Sequence, residues 1–324
     1  MGCKNTKTFS YLQKKHYLCT CIYKTLRFTR NTIHIYILIH MNSDKLCFVP
    51  FGGSANRMRA IASAVNLARQ CAVQLDVVWF REWAMEARLS DLFQPFEAQG
   101  ITMRDASWWE YYVFDRPRKK NLWLPMLPQR MMFKRSMSEQ ESTARALEGY
   151  DFNEWGLQGG ASILPSCMKF GNFADYGSLL REIFHPVKAV TDEVGRFREN
   201  FSAHTIGAHI RRTDSVASIK HSPTEAFIST FDREIDMHND TRIFLATDDE
   251  PTRTELQERY GSRIITSSRP ATRKSAGGVR DGLVDMYTLA ATQCIYGSVG
   301  SSFSVMAAEI GGVELIMCKS EANP

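Results

Sequence analysis

Ile206-Gly207-Ala208-His209-Ile210-Arg211-Arg212-Thr213-Asp214 is a short apolar run that ends in one imidazole, two guanidiniums and a carboxylate. An apolar run of this length reads as a buried strand, so the charged residues emerge together at its C-terminal end. Open α/β sheets bind ligands at that edge. Guanidinium is a planar fork of donors that meets phosphate oxygens two at a time and stays cationic at any working pH. A pair of them at a strand end therefore points to an anionic ligand such as a diphosphate. The competing reading is a surface arginine pair held by Asp214, since ion pairs at loop starts are common and contribute little.

The same arrangement occurs near the start of the globular region. Leu46 to Phe51 is apolar, Gly52-Gly53-Ser54-Ala55-Asn56-Arg57 follows, and Met58 to Gln70 has the spacing of a helix. Glycines let backbone approach a bound group, and a helix N-terminus offers free N–H groups to an anion or a sugar hydroxyl. The turn lacks the Lys-Ser/Thr ending of a phosphate loop and the three spaced glycines of a dinucleotide site, so a ligand-free turn is the alternative. Thr241 to Ala246 reads as a strand running into Thr247-Asp248-Asp249-Glu250-Pro251, where a helix begins with an acidic first turn. Asp281 to Ala290 reads as a helix and Cys294 to Ser298 as a strand, and Val299 to Glu309 reads as a small-residue turn opening a further helix. All four segments are expected to line one cleft.

In order and spacing these segments resemble the fucosyltransferases that share a His-x-Arg-Arg donor motif, a group spanning α1,2 enzymes, α1,6 core and nodulation enzymes, and protein O-fucosyltransferases. The resemblance runs from Leu46 to Met317, through His209-Ile210-Arg211-Arg212-Thr213-Asp214, Ala246-Thr247-Asp248-Asp249 and Gly300-Ser301-Ser302-Phe303-Ser304. The first loop departs from the common Gly-Gly-Leu-Gly-Asn-Gln form at Ser54, Ala55 and Arg57. Thr213 with Asp248-Asp249 leans toward the α1,6 branch, and Ser302-Phe303-Ser304 toward the α1,2 branch.

The resemblance implies an α/β, GT-B-like fold of two Rossmann-type domains facing a central cleft. It implies an enzyme that moves L-fucose from GDP-fucose to a hydroxyl of an oligosaccharide or surface glycan, in one inverting step and without a metal or other cofactor. By position, Arg211 grips the diphosphate and is the chief catalytic residue, His209 lies against the nucleotide, and Arg212 belongs to the same anion site. Asp285 stands where the family's guanine-binding carboxylate stands, sixteen positions before Ser301. A carboxylate suits guanine because it accepts from N1–H and the exocyclic amine together. Ser301 and Ser302, at a helix N-terminus, add donors to the β-phosphate. Gly53 and Asn56 belong to the first loop's binding surface. Asp214 is the second catalytic candidate; for the base, Asp214, His221 and Glu225 all stay open, because Ser215 to His221 contains no carboxylate.

Plainer readings accompany each residue. Asp285 would sit on an exposed helix face, Ser301 would cap the last helix, His209 would be a satisfied core residue, and Asp248 and Asp249 would cap a helix or chelate a divalent cation. The aromatics Trp108-Trp109-Glu110-Tyr111-Tyr112 and Asn121-Leu122-Trp123-Leu124-Pro125 fall in irregular regions, as core packing or as an acceptor surface. Two other functions fit the same motifs: a different nucleotide-sugar transferase of this architecture, and a non-catalytic sugar- or nucleotide-binding homologue.

Composition sets the frame. The 324 residues are 44% hydrophobic and carry a net charge of +5, enough core for about two domains. Residues 1–41 are expected to be a basic leader, disordered or an artefact of a true start at Met41. Residues 42–184 are assigned to an acceptor-side domain and 185–324 to a GDP-sugar-binding domain, with the break at His185-Pro186 before a helix from Val187 to Asn200. Residues 1–40 hold Lys4, Lys7, Lys14, Lys15, Lys24, Arg27 and Arg30 and no acid, so without them 33 bases face 35 acids and the net charge is −2. The basic balance is therefore no argument for a nucleic-acid partner. Thr32 to Ile39 is too short and too broken by His34 to span a bilayer, and Met1-Gly2-Cys3-Lys4-Asn5-Thr6 matches a myristoylation pattern, so membrane association is expected to be peripheral at most. Beyond the leader, Cys47, Cys71, Cys167, Cys294 and Cys318 are scattered and odd in number. That usage fits a reducing compartment: a bacterial cytoplasmic enzyme of polysaccharide biosynthesis, at the inner face of the membrane.

Overall fold

A computed structural model describes residues 44–82, 85–114, 127–213, 216–267, 269, 272 and 274–319. The leader, Asp214 and the Asn121 to Pro125 segment lie outside the described residues. Strands β1 (Lys45–Pro50), β2 (Gln74–Trp79), β3 (Ile101–Asp105), β4 (Arg135–Ser136) and β5 (Ser162–Ser166) form one sheet in the order β3-β2-β1-β5-β4. Strands β6 (Thr205–Ile210), β7 (Arg242–Thr247), β8 (Ile264–Thr266), β9 (Cys294–Ser298) and β10 (Glu314–Cys318) form a second, in the order β10-β9-β6-β7-β8. Every neighbouring pair is parallel. Parallel pairing demands helical crossovers on both faces, so the central strands are buried along their length.

The helices are α1 (Ser54–Cys71), α2 (Glu110–Val113), α3 (Leu127–Met132), α4 (Glu139–Leu147), α5 (Tyr176–Ile183), α6 (Lys188–Arg198), α7 (Val216–His221), α8 (Thr224–Met237), α9 (Glu250–Tyr260), α10 (Ala276–Leu289) and α11 (Ser302–Gly311). Their ends follow local chemistry. Asp249 caps α9, accepting the Thr252 N–H at 2.9 Å, with Pro251 in the first turn; Ser275 caps α10; and α11 ends on Gly312 at φ 64°. Helix α11 packs on α1 and α5, and α10 on α6 and α11. One apolar cluster accordingly takes in Phe48, Met58 and Trp79 from the first sheet's half together with Phe244, Leu283 and Ile295 from the second's.

The second sheet has a doubly wound order. The chain moves outward from β6 to β7 and β8, then crosses to β9 and β10 on the other side, so the crevice between the C-terminal ends of β6 and β9 is a topological switch point. The first sheet reverses likewise at β1, although the chain visits the edge strand β4 before β5. Several expected bounds shift. Helix α1 begins at Ser54 rather than Met58, because Gly53 supplies the extended N-cap, and α10 begins five residues before Asp281, at the Ser275 cap. The Trp108 to Tyr112 region, expected to be irregular, contains the single helical turn α2.

Gly207 lets α10 close on β6. A Cβ there would stand 2.7 Å from Thr292 Oγ1 and 2.9 Å from Leu289 Cδ2, and that hydroxyl already donates to the Leu289 and Cys294 carbonyls. Gly207→Ala is expected to cost about 1–3 kcal/mol, as overpacked cores do, read as a lowered urea midpoint with unchanged slope.

Candidate active site

The β6 strand delivers its charged residues as the sequence expects, and Asp248, at the end of β7, fixes them. Asp248 Oδ1 accepts the Arg212 backbone N–H at 2.8 Å, its Oδ2 accepts the Thr213 hydroxyl at 2.6 Å, and Arg211 Nη1 stands 3.9 Å away. Burial pushes the Asp248 carboxyl up, but these hydrogen bonds and the Arg211 charge outweigh it and hold the group below the ordinary carboxylate value. The Arg211 N–H donates to Ser298 Oγ at 3.1 Å, which ties β6 to β9. The Arg211 side chain is 16% exposed, so its fork is not sealed into the core. Arg212 turns differently. Its guanidinium donates to the Arg211 carbonyl at 3.1 Å and to Thr224 Oγ1 at 3.1 Å, so it links the strand end to α8.

His209 is buried, its ring stacked on Phe303 at 4.7 Å between centroids, with Nδ1 3.3 Å from Ser301 Oγ. Ser301 is the N-cap residue of α11, yet its side chain makes no capping bond, so the hydroxyl serves the imidazole instead. Ser302 follows in the first turn of α11. Burial, helped by the Arg211 charge, lowers the His209 imidazole to about 4.

Asp285, on α10, is half-buried, and its Oδ1 is shielded from solvent with no hydrogen-bond partner. Burial raises the carboxyl to about 7, with Arg253 pulling it down and Asp281 pushing it up. The helix-face reading is right about the element and wrong about the exposure. Arg253, on α9, is a residue that the sequence reading missed. It is 5% exposed, donates to Glu250 and the Thr247 carbonyl, and leaves its Nε buried without a partner. A cation in the first turn of a helix opposes the macrodipole, and that misplacement was its signal.

The first sheet's loop is pinned by Arg57, which is fully buried. Nε donates to the Gly52 carbonyl at 2.9 Å, Nη1 to the Phe80 carbonyl at 2.7 Å and Nη2 to Glu82 at 2.7 Å, while the guanidinium lies 4.5 Å over Trp79. Gly52 takes φ +82°, and a Cβ there would press on Asn56 Nδ2 at 3.1 Å. Gly53 caps α1, and Asn56 Oδ1 is buried without a partner. His209, Arg211, Ser301 and Asp248 are thus brought together at the ends of β6, β7 and β9, whereas Gly53 and Asn56 belong to the other sheet's switch.

Asp249 is spent on capping α9, donated to by both the N–H and the hydroxyl of Thr252. Among the described residues, three metal-ligating side chains converge only at His204, Glu234 and His238, near the opposite, N-terminal end of β6. There His204 Nε2 is 3.0 Å from Glu234 and the two imidazoles stack at 3.9 Å between centroids.

No protein-family profile and no curated protein sequence matches the chain. Solved structures do. Fucosyltransferase NodZ from Bradyrhizobium is similar with a TM-score of 0.60 at 15% identity, over 82% of this chain and 91% of that one. A variant of Arabidopsis thaliana FUT1 in complex with GDP gives 0.61 at 13% identity, over 90% and 74%. POFUT1 in complex with GDP-fucose gives 0.53 at 11% identity, over 86% and 98%. The likeness establishes the fold: this chain has the α/β, GT-B-like architecture of fucosyltransferases.

The buried imidazole has a pH signature. The folded ring titrates near 4 and the unfolded one near 6.5, so the unfolded chain binds the extra proton between them. The stability contributed by the neutral ring is intact above pH 6.5 and declines by about 3 kcal/mol as pH falls to 4. Comparing urea unfolding of the wild type with His209→Gln across that window should show the variant losing this part of the slope; parallel profiles would mean that the ring is not desolvated.

Proposed function

We propose that the chain is an inverting, metal-independent glycosyltransferase that moves L-fucose from GDP-fucose to a hydroxyl of a glycan. The observation that carries this is the place of Arg211: a part-exposed guanidinium at the β6/β9 switch point, its backbone tied to Ser298 of β9, in a fold shared with fucosyltransferases solved with GDP or GDP-fucose. Displacement at the anomeric carbon breaks the bond to the diphosphate, so negative charge grows on the departing oxygen. A prepositioned cation that binds that oxygen better in the transition state than in the ground state lowers the barrier, as an oxyanion hole does. The hydroxyl of Ser302 and the open N–H groups of α11 would hold the β-phosphate. His209, neutral, would lie against the nucleotide without repelling Arg211.

Guanine fits the two shielded polar atoms. It offers N1–H and an amine to the Asp285 carboxylate and acceptors at O6 and N7 to the Arg253 guanidinium, a set that uracil lacks. Asp214 keeps its proposed catalytic role, with His221 and Glu225 as the other candidates for removing the acceptor proton. The same proposal sets the reaction in the cytoplasm, at a membrane face, on a surface glycan. The five described cysteines are free thiols, and no described helix is long and apolar enough to cross a membrane, which by itself assigns no compartment.

A titration separates this from a transferase using another nucleotide: GDP should bind at least about tenfold more tightly than UDP, and equal affinities would sink the guanine assignment. Arg211→Lys should cut turnover of GDP-fucose about tenfold or more with the melting temperature unchanged, because a point charge does not replace a bidentate fork; unaltered turnover would remove Arg211 from the diphosphate site. Binding to an ionised Asp285 that otherwise titrates near 7 also sets a pH dependence. GDP affinity should be level above pH 7 and fall up to about tenfold per unit below it, and the Asp285→Asn variant should lose that part of the profile.

A further inference from the structure

Beyond the end of β2, beside the glycine turn, an open hollow of ≈ 600 Å³ is lined by Arg81, Arg88, Asp105, Trp108 and Tyr112 among others. Arg81 lies between Phe80 and Glu82, the two residues that hold Arg57, so this hollow adjoins the first sheet's switch point. Its walls divide cleanly into structural and unspent groups. Tyr111, which lines the hollow, packs edge-on to Phe80 at 4.9 Å while its hydroxyl accepts the Arg81 N–H at 3.0 Å. Trp108 and Tyr112 remain 59% and 62% exposed, edge to face at 6.4 Å. Two large rings exposed side by side form an apolar patch of the kind that marks an interaction surface. Both arginine side chains are exposed, and among the described residues neither guanidinium has an ion-pair partner. The one acid present, Asp105, has Oδ1 tied to the Leu89 N–H at 2.9 Å, with Ser90 Oγ 3.5 Å from Oδ2.

Each group has a counterpart in one ligand class. Aromatic faces stack on the C–H faces of pyranose rings, a carboxylate accepts from sugar hydroxyls, and two guanidiniums take a carboxylate or phosphate in bidentate fashion. We infer that this hollow is the acceptor subsite and that it takes a saccharide bearing an anionic group. The word acceptor rests on the fucosyl-transfer reading above; the ligand class rests on the hollow alone.

The test is a calorimetric titration of the whole chain with tetragalacturonate, with neutral cellotetraose and with glucose 6-phosphate, each with and without saturating GDP. A charged probe is expected to bind at least about tenfold more tightly than cellotetraose, and the better of the two charged probes identifies carboxylate or phosphate as the anionic group. Trp108→Ala should weaken that binding several-fold, and Arg81→Gln with Arg88→Gln should abolish the preference for charge; all three residues are exposed, and melting curves confirm that the variants fold. Equal binding of cellotetraose, or indifference to the arginine changes, overturns the inference. So does failure of every probe on a chain that still binds GDP, which would leave the donor assignment standing. Charged-probe binding by a chain that ignores GDP would do the reverse, sparing this site and removing the fucosyl-transfer reading.

Discussion

The part-buried Asp248 carboxylate, satisfied by the Arg212 N–H and the Thr213 hydroxyl, is the constraint on which the second sheet's functional edge depends. A carboxylate in that position is costly unless charge-assisted hydrogen bonds replace its hydration. The turn after β6 supplies them, which fixes the backbone of residues 211–213 against the end of β7. Ser298 performs the matching task from β9 by accepting the Arg211 N–H. Three parallel strands are locked at their C-terminal ends by polar bonds, and the direction in which Arg211 leaves the sheet follows. At 3.9 Å the Asp248 oxygen orients the guanidinium without engaging it as a bidentate partner.

The two switch points make opposite use of the same residue type. Arg57 is wholly enclosed, donates to two carbonyls and one carboxylate, and lies over an indole. Burial pulls its guanidinium down to about 10 despite Glu82, which measures how much hydration it has given up. Fully enclosed, the group is out of a ligand's reach; it is a rivet between the glycine turn and the end of β2. Arg211 keeps contact with solvent. At position 57 the first loop therefore carries a structural residue, whose fork spans the Gly52 and Phe80 carbonyls and the Glu82 carboxylate.

What was legible in the sequence was whatever a single element encodes. The run Cys294 to Ser298 has the bounds of β9, the helix expected from Val187 is α6 with Val187 as its cap, and the alternation of strand and helix signals matches the α/β class, whereas the Rossmann-type arrangement came from the resemblance. Placing Asp285 depended on the resemblance, since one acid on a helix carries no local mark. The pairings stayed hidden because they join distant positions: Arg57 with Glu82, and Arg181 with the carbonyl end of α11. Helix α2 stayed hidden for another reason. One turn has no period to detect, and the contrast between buried Trp109 and exposed Trp108 just before it emerges only from packing.

The shielded Asp285 Oδ1 and Arg253 Nε show where the chain has given up stability. Each unpartnered buried polar atom costs about 1–3 kcal/mol, a sizeable part of a fold's margin, and the two could have been relieved by pairing with one another or by apolar replacement. Neither happens: Arg253 spends its terminal nitrogens on Glu250 and Thr247, and Asp285 is raised toward neutrality rather than given a donor. On the guanine reading proposed above, both atoms would be relieved by one planar base that brings donors for the carboxylate and an acceptor for the guanidinium on a rigid edge, because flexible groups would forfeit in ordering entropy what the hydrogen bonds return.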